Sequence, residues 1–294
     1  MIAAMQLLIK YALFEPFLKQ SELTVTLNGF GFGLLVAATL CLAAAGNIIN
    51  DIVDVETDQI NKPSKVIVRS KISEKRAYQL FFTFNIIGVL LGFYLSHLIG
   101  KSGFFTIFVI ISALLYVYAT YLKQTFLIGN IVVSLLVALS ILIAGVFELS
   151  PVITPENHST QITFFKIVLD YAVFAFLLNF VREMVKDLED VDGDHNAGMR
   201  TLPIVLGRER TAKIVAVVNL MPLFATIYYV ATYLYKFEVV IAYFLITVIA
   251  PLIYISVKIY GAKTKKQYHH VSTMLKLVML FGMFSMLLYP FVLI

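Results

Sequence analysis

Ten of the eighteen acidic residues in this 294-residue chain fall in two short segments. Asp51, Asp54, Glu56 and Asp58 form the first, and Glu183, Asp187, Glu189, Asp190, Asp192 and Asp194 the second. Asp51, Asp54 and Asp58 have the spacing D-x-x-D-x-x-x-D, which Asp187, Asp190 and Asp194 repeat 136 residues later. The correspondence extends outward: Asn47 matches Glu183, Asn50 matches Lys186 and Glu56 matches Asp192. At 3.6 residues per turn, positions 47, 51, 54 and 58 form one stripe down a helix face, as do 183, 187, 190 and 194. Like charges so close repel one another, and a divalent cation is the natural compensation. All-oxygen ligands suit Mg²⁺, which keeps several waters and is held by one or two carboxylates together with substrate phosphates. A lone acidic cluster would read as a solvated face; two copies of one spacing, both flanked by cations, point to a metal-assisted site.

Those cations identify what the metal would hold. Lys62, Lys65 and Arg69 follow the first stripe, while Arg182, Lys186 and Arg200 bracket the second. A polyanion bridged between metals needs such company, because Lys and Arg take the oxygens that Mg²⁺ leaves. No Gly-x-x-x-x-Gly-Lys-Ser/Thr loop occurs, which argues against a nucleotide. A lipid-borne diphosphate fits better, its headgroup among the charges and its hydrocarbon tail below them.

The elements that position these stripes are hydrocarbon-rich. Sixty per cent of the chain is hydrophobic and 14% charged, with mean hydropathy +0.88, against about 25% charged in soluble domains. This excludes soluble enzymes, nucleic-acid binders and disulfide scaffolds. The one cysteine, Cys41, lies in an apolar run and reads as a small core residue. Apolar runs long enough to cross a bilayer are expected at 2–18, 28–49, 77–99, 103–121, 126–147, 162–181, 212–234, 238–258 and 272–293. With a cytoplasmic N-terminus, 18 of the 23 basic residues fall in the loops after spans two, four, six and eight. Only Lys19, Lys101, Lys166 and Lys236 fall on the other side, with Lys10 inside span one, so the positive-inside rule supports this topology. The net charge of +5 follows from topology and calls for no nucleic-acid partner. Four spans separate the acidic segments, so both lie on the cytoplasmic face and the repeat is parallel. The expected architecture is all-α: one multi-pass membrane domain over residues 1–294, with nine transmembrane helices and two parallel four-helix pseudo-repeats carrying the acidic motifs around a central cavity.

The segment GNIINDIVDVETDQINKP resembles the first signature of the UbiA superfamily of intramembrane prenyltransferases, N-D-x-x-D-x-x-x-D followed by N-K/R-P, and REMVKDLEDVDGD resembles its second aspartate motif. The resemblance implies nine spans with both motifs on cytoplasmic loops. It also implies that Asn50, Asp51, Asp54, Asp58, Asp187, Asp190 and Asp194 are ligands of two Mg²⁺ ions bound to a prenyl diphosphate, with Asn47 and Glu183 in the adjoining turn. Members carry Y-x-x-x-K near the end of span four. The segment here is LYVYATYLKQ, in which Tyr118 lies five residues before Lys123, and these two residues are carried over. A basic stretch usually leads into span one; this sequence opens on MIAAMQLLIKY, so either the true start lies upstream or Lys10 takes that role.

The chemistry expected is transfer of a prenyl group. Magnesium and cations stabilise the departing diphosphate, Asp54, Asp58, Asp190, Asp194 and Lys123 carry catalysis, and an intramembrane cavity bordered by Tyr118 and Glu183 keeps water from the allylic cation. Tyr116, Tyr121 and Phe180 are further aromatic candidates for the cation, Asp170 and Asn85 should face other helices, and His195 should face solvent. The second motif looks most like members that transfer geranylgeranyl to geranylgeranylglyceryl phosphate, with Lys123, Arg200 and Arg208 available for the acceptor's phosphate. An aromatic acceptor of the 4-hydroxybenzoate or dihydroxynaphthoate type is the alternative. A cation-coupled transporter is disfavoured, because its carboxylates would lie near the midplane of repeats that are often inverted, and a non-catalytic scaffold would hold the diphosphate without turnover.

Overall fold

A computed structural model describes residues 1–18, 21 and 23–292. Lys19 and the last residue of the ninth expected span lie outside the described residues. Among those described, every regular element is helical and the one β-bridge is the isolated pair Val68–Ile72.

Among the described residues, eight helices are long and apolar enough to cross a bilayer: α2 (Gly29–Val53), α4 (Glu74–Leu98), α5 (Ser102–Thr120), α6 (Ile128–Val152), α7 (His158–Asn196), α9 (Arg208–Leu234), α10 (Glu238–Tyr260) and α11 (Lys265–Phe291). Each matches an expected run. Between them lie the short helices α3 (Val55–Asn61) and α8 (Leu202–Leu206). The first run is helical in three pieces: α1 (Ile2–Leu8), a π-helical stretch Ile9–Phe14 and a 3₁₀ turn Glu15–Phe17. Starts follow local chemistry. Asn28 caps α2 by accepting from the Gly31 amide at 2.8 Å, and Thr264 with Gln267 forms a capping box at α11.

Lipid-facing and inward faces separate as a bilayer requires. Phe82, Ile86, Leu90 and Phe93 form an exposed apolar ridge along α4, while Leu35, Ala38, Leu42, Ala45 and Ile49 form the buried face of α2. Asn85 faces α5, accepting from the Ser112 hydroxyl at 2.9 Å.

Lys10 is not near the acidic motifs. Its ammonium donates to Glu148 Oε1 and to the Leu27 carbonyl, both at 2.7 Å, and the Leu27 amide donates to Glu148 Oε2 at 3.0 Å. This clamp ties the first helical stretch to the end of α6 and the start of α2, a helix length from Asn50. Both ions are buried, at 2% and 0% exposure, so a carboxylate and several hydrogen bonds must compensate the ammonium. That requirement removes Lys10 from the diphosphate candidates.

The acidic segments also differ from loops. α7 runs for 39 residues, about 58 Å at 1.5 Å per residue, nearly twice the ~30 Å hydrocarbon core. The second motif therefore rides on the protruding end of a continuous helix, and the first on the end of α2 and on α3.

Candidate active site

α2 ends at Val53 and α3 begins at Val55, with Asp54 at the break in a non-helical conformation (φ −85°, ψ 2°). The two motif-bearing ends meet directly. The Asn61 side chain donates to the Asp190 carbonyl at 2.8 Å and accepts from the Gly193 amide at 2.9 Å. Gly193 permits this approach, since a Cβ there would lie 2.4 Å from Asn61 Nδ2 and 2.6 Å from the Thr57 carbonyl oxygen. Lys62, next in sequence to Asn61, reaches Asp190 Oδ2 at 2.5 Å, and Lys265 closes the turn by donating to the Asn61 carbonyl at 2.7 Å.

Lys123 arrives from a 3₁₀ turn, Leu122–Gln124, between α5 and α6. Gly129 lets that turn press against α6, because a Cβ at 129 would lie 2.6 Å from Lys123 Cα. The Arg200 amide donates to the Gln124 carbonyl at 2.9 Å, tying the turn to the segment after α7. Lys123 pairs with Asp54, whose Oδ2 accepts from Asn50 at 2.6 Å. Across the space, Asn130 donates to Asp187 Oδ2 at 2.9 Å, and Glu183 receives Lys186 at 2.8 Å and Arg182 at 3.1 Å.

These groups line a polar chamber walled by Asn50, Asp54, Asp58, Lys62, Tyr118, Lys123, Glu183, Lys186, Asp187, Asp190 and Asp194, together with Thr57, Asn61, Asn130 and Met199. A deeper cavity shares Asn50, Tyr118, Glu183 and Lys186 with it. That cavity continues between α2, α5 and α6 past Asn47, Gly46, Leu115, Leu136 and Phe108, with Arg182 and Asn179 on its α7 side. Charge therefore opens straight onto hydrocarbon.

Glu183, Asp187, Asp190 and Asp194 of the second stripe all line the chamber. The first is rotated: Asn50, Asp54 and Asp58 face the chamber, whereas Asp51, one residue from Asn50 and so about 100° around the helix, is exposed and lines neither cavity. Lys65, Arg69 and Arg200 are exposed and also lie off both walls; Arg69 pairs with Glu74 at 3.0 Å. Arg208, a candidate for the acceptor's phosphate, pairs with Asp192 at 2.6 Å instead. Of the aromatic candidates only Tyr118 reaches the walls, and His195 is exposed. Asn61, Thr57 and Asn130 were not singled out from sequence; the asparagine beginning N-K-P and an asparagine in an apolar run were their only signals.

Burial shapes the chamber's electrostatics. It holds the Lys123 ammonium down to about 8, with Lys186 acting in the same direction and Asp194 and Asp51 opposing. Burial also raises the Asp58 carboxyl, reinforced by Asp190 and opposed by Lys62. For Lys62 burial acts downward, but its hydrogen bond and proximity to Asp190, with Asp58 and Glu189 nearby, outweigh it and hold the ammonium above its ordinary value.

Among the described residues no three acidic side chains converge on one point, because Lys123, Lys62 and Asn130 each draw a carboxylate aside. Mg²⁺ needs only one or two carboxylates when phosphate oxygens and water complete its shell. Asp190 Oδ1 is buried without a hydrogen-bond partner, leaving lone pairs on the chamber wall. An all-oxygen donor set with such an atom fits the ion.

Fold and site together define an integral, multi-pass membrane protein with a polar chamber beside a deeper cavity between its helices. The chain belongs to the UbiA prenyltransferase family, whose profile matches residues 22–280, and it is a prenyltransferase. Relatives include the digeranylgeranylglyceryl phosphate synthase of Methanosphaera stadtmanae, 30% identical over 261 residues, 85% of this chain and 86% of that one. The synthase of that name from Korarchaeum cryptofilum is 30% identical over 267 residues, covering 88% and 86%. Among solved structures, one concerned with digeranylgeranylglyceryl phosphate synthase in membranes superposes with TM-score 0.65 at 24% identity, covering 98% of this chain and 92% of that one. A UbiA homologue from Aeropyrum pernix K1 superposes with TM-score 0.68 at 14% identity over 94% of each chain. At these identities the superpositions establish the fold.

Proposed function

We propose that this chain transfers a geranylgeranyl group from geranylgeranyl diphosphate to the hydroxyl of geranylgeranylglyceryl phosphate, with two Mg²⁺ ions, at the cytoplasmic face of a membrane crossed nine times. The observation that carries the reading is that the charged chamber adjoins the deep, largely apolar cavity along Asn50, Tyr118, Glu183 and Lys186, which suits a diphosphate on a prenyl tail. The names of the synthases it resembles point to the glycerophosphate acceptor.

In this reading Asn50, Asp54, Asp58, Asp187, Asp190 and Asp194 hold the ions, and Lys62, Lys123 and Lys186 take the diphosphate oxygens left free. Bound Mg²⁺ supplies charge neutralisation on the diphosphate as the C1–O bond breaks. Asn47, Tyr118 and the walls of the deep cavity orient the prenyl chain and exclude water from its allylic C1. The C1–O bond breaks with both electrons leaving on diphosphate, the acceptor's hydroxyl oxygen bonds to C1, and its proton passes to a diphosphate oxygen or a wall carboxylate. Asp51, Lys65, Arg69 and Arg200, off the walls, take no part in this assignment.

The test is product analysis with purified protein, Mg²⁺ and geranylgeranyl diphosphate, offering geranylgeranylglyceryl phosphate, 4-hydroxybenzoate and dihydroxynaphthoate in parallel. Alkylation of the glycerophosphate is expected; alkylation of an aromatic acceptor alone would overturn the assignment.

A further inference from the structure

Both substrates of the proposed reaction carry long hydrocarbon chains, and the deep cavity beside the polar chamber accounts for one. A second apolar cavity lies on the other side of α6. Ile2, Val137 and Ser140 line both cavities, so the two adjoin there. The second one runs between α1, α7, α10 and α11, past Met5, Ala175, Phe244, Val248 and Met283.

Its two ends differ in charge. At the end nearer the acidic motifs it is lined by Leu178 of α7 and Met279 of α11. Arg182 follows Leu178 by four residues and Lys276 precedes Met279 by three, so both lie one turn closer to the charged end of the bundle, Arg182 on the wall of the adjoining deep cavity. Lys276 is exposed, and its electrostatic neighbours are three cations, Arg182, Lys186 and Lys65, with Glu189 as the acidic one. Glu189 is also held by His269 at 3.0 Å. Arg182 binds Glu183 through one terminal nitrogen, while its Nε is buried without a partner. Cations outnumber carboxylates at this rim, and a desolvated guanidinium donor waits for an acceptor. At the far end lie Asp170 and the Tyr171–Ser285 hydroxyl pair, 2.7 Å apart. Asp170 is twelve residues from Arg182, about 18 Å along the helix.

We infer that this slot binds the acceptor: a phosphate monoester on a single hydrocarbon chain, its phosphate between Arg182 and Lys276 and its chain between α7 and α11. The inference rests on the glycerophosphate reading above. It gives donor and acceptor adjoining berths that meet along α6 at Val137 and Ser140, with both headgroups at the charged end where C1 and the hydroxyl meet. Arg182, expected from sequence to serve the diphosphate, thereby serves the acceptor.

Gly282 supplies a direct test. It lines the slot, and a Cβ there meets nothing within 4 Å, so Gly282→Leu fills the slot without displacing backbone; exposed Lys276→Met removes only a rim charge. Binding of labelled geranylgeranylglyceryl phosphate to the full chain in nanodiscs is measured without Mg²⁺ or donor, which requires no turnover. Each substitution is expected to weaken that probe about tenfold or more, as loss of a charge-assisted contact or of chain burial implies, while geranylgeranyl diphosphate affinity changes less than about twofold on the same scale. No binding by the wild type, unchanged probe affinity in both variants, an equal loss of donor affinity, or displacement of the probe by an equimolar two-chain phosphatidate would each overturn the slot. Wild-type binding that shows these effects without transfer would leave the slot standing and refute the proposed reaction instead.

Discussion

Replacing Gly193 with alanine probes the contact that assembles the chamber. The added Cβ would sit 2.4 Å from Asn61 Nδ2 and 2.6 Å from the Thr57 carbonyl oxygen, where ordinary contact is about 3.5 Å or more. The Asn61 amide could swing away; the Thr57 oxygen is backbone within α3 and could not. α3 must therefore retreat from α7 by about 1 Å. Overpacking of this kind costs about 1–3 kcal/mol, and the two Asn61 hydrogen bonds at stake add about 1 kcal/mol each. The catalytic consequence is distinct from the thermal one, because Asp54, Asp58 and Lys62 move with α3 relative to Asp187, Asp190 and Asp194. A misplacement of about 1 Å is worth roughly 100-fold in rate, or about 2.7 kcal/mol of barrier. Gly193→Ala should thus lower kcat/KM for Mg²⁺-dependent diphosphate release about 100-fold, with a cooperative unfolding transition retained in detergent. Asn61→Ala, which removes the clasp without the clash, should give a smaller loss. Full activity in Gly193→Ala would refute the claim that this approach sets the geometry of the two motifs.

Other consequences are as direct. Lys10→Met strands the buried Glu148 carboxylate and should destabilise the protein by about 3–5 kcal/mol, with KM for prenyl diphosphate unchanged at a permissive temperature; the double variant Lys10→Met/Glu148→Leu should recover most of the loss, and a raised KM would return Lys10 to the site. Lys123 binds diphosphate in its protonated form, and burial holds it down to about 8, so kcat/KM should fall as pH rises through that value. Lys123→Arg, charged throughout the range, should flatten that limb, and an unchanged profile would remove Lys123 from diphosphate binding. Asp51→Asn should reduce kcat/KM less than Asp54→Asn, since Asp51 is exposed and lines neither cavity; equal losses would restore the unrotated stripe.

Hydropathy and charge made most of the architecture legible, because the bilayer requires long apolar helices and gathers basic residues at one end of the bundle. The second acidic stripe was also legible, since α7 continues unbroken and its helical phase carries through Glu183, Asp187, Asp190 and Asp194. The first was misphased. Spacing alone favoured Asp51 as the counterpart of Asp187, whereas the inward face runs through Asn50 and the helix breaks at Asp54. The role of Lys10 depends on Glu148, 138 residues away, a pairing no local pattern contains. The Asn61–Gly193 clasp and the Asn130–Asp187 hydrogen bond are likewise tertiary. Composition gives no sign of them beyond an asparagine or a glycine among residues of other kinds.

The central claim is that the two stripes act together on one prenyl diphosphate. It is tested most directly by Mg²⁺-dependent diphosphate release and product formation in Asp54→Asn and Asp190→Asn, alongside wild type and with unfolding transitions recorded for all three. The account predicts loss of both activities in each variant with the fold retained. Full activity in either one would contradict it.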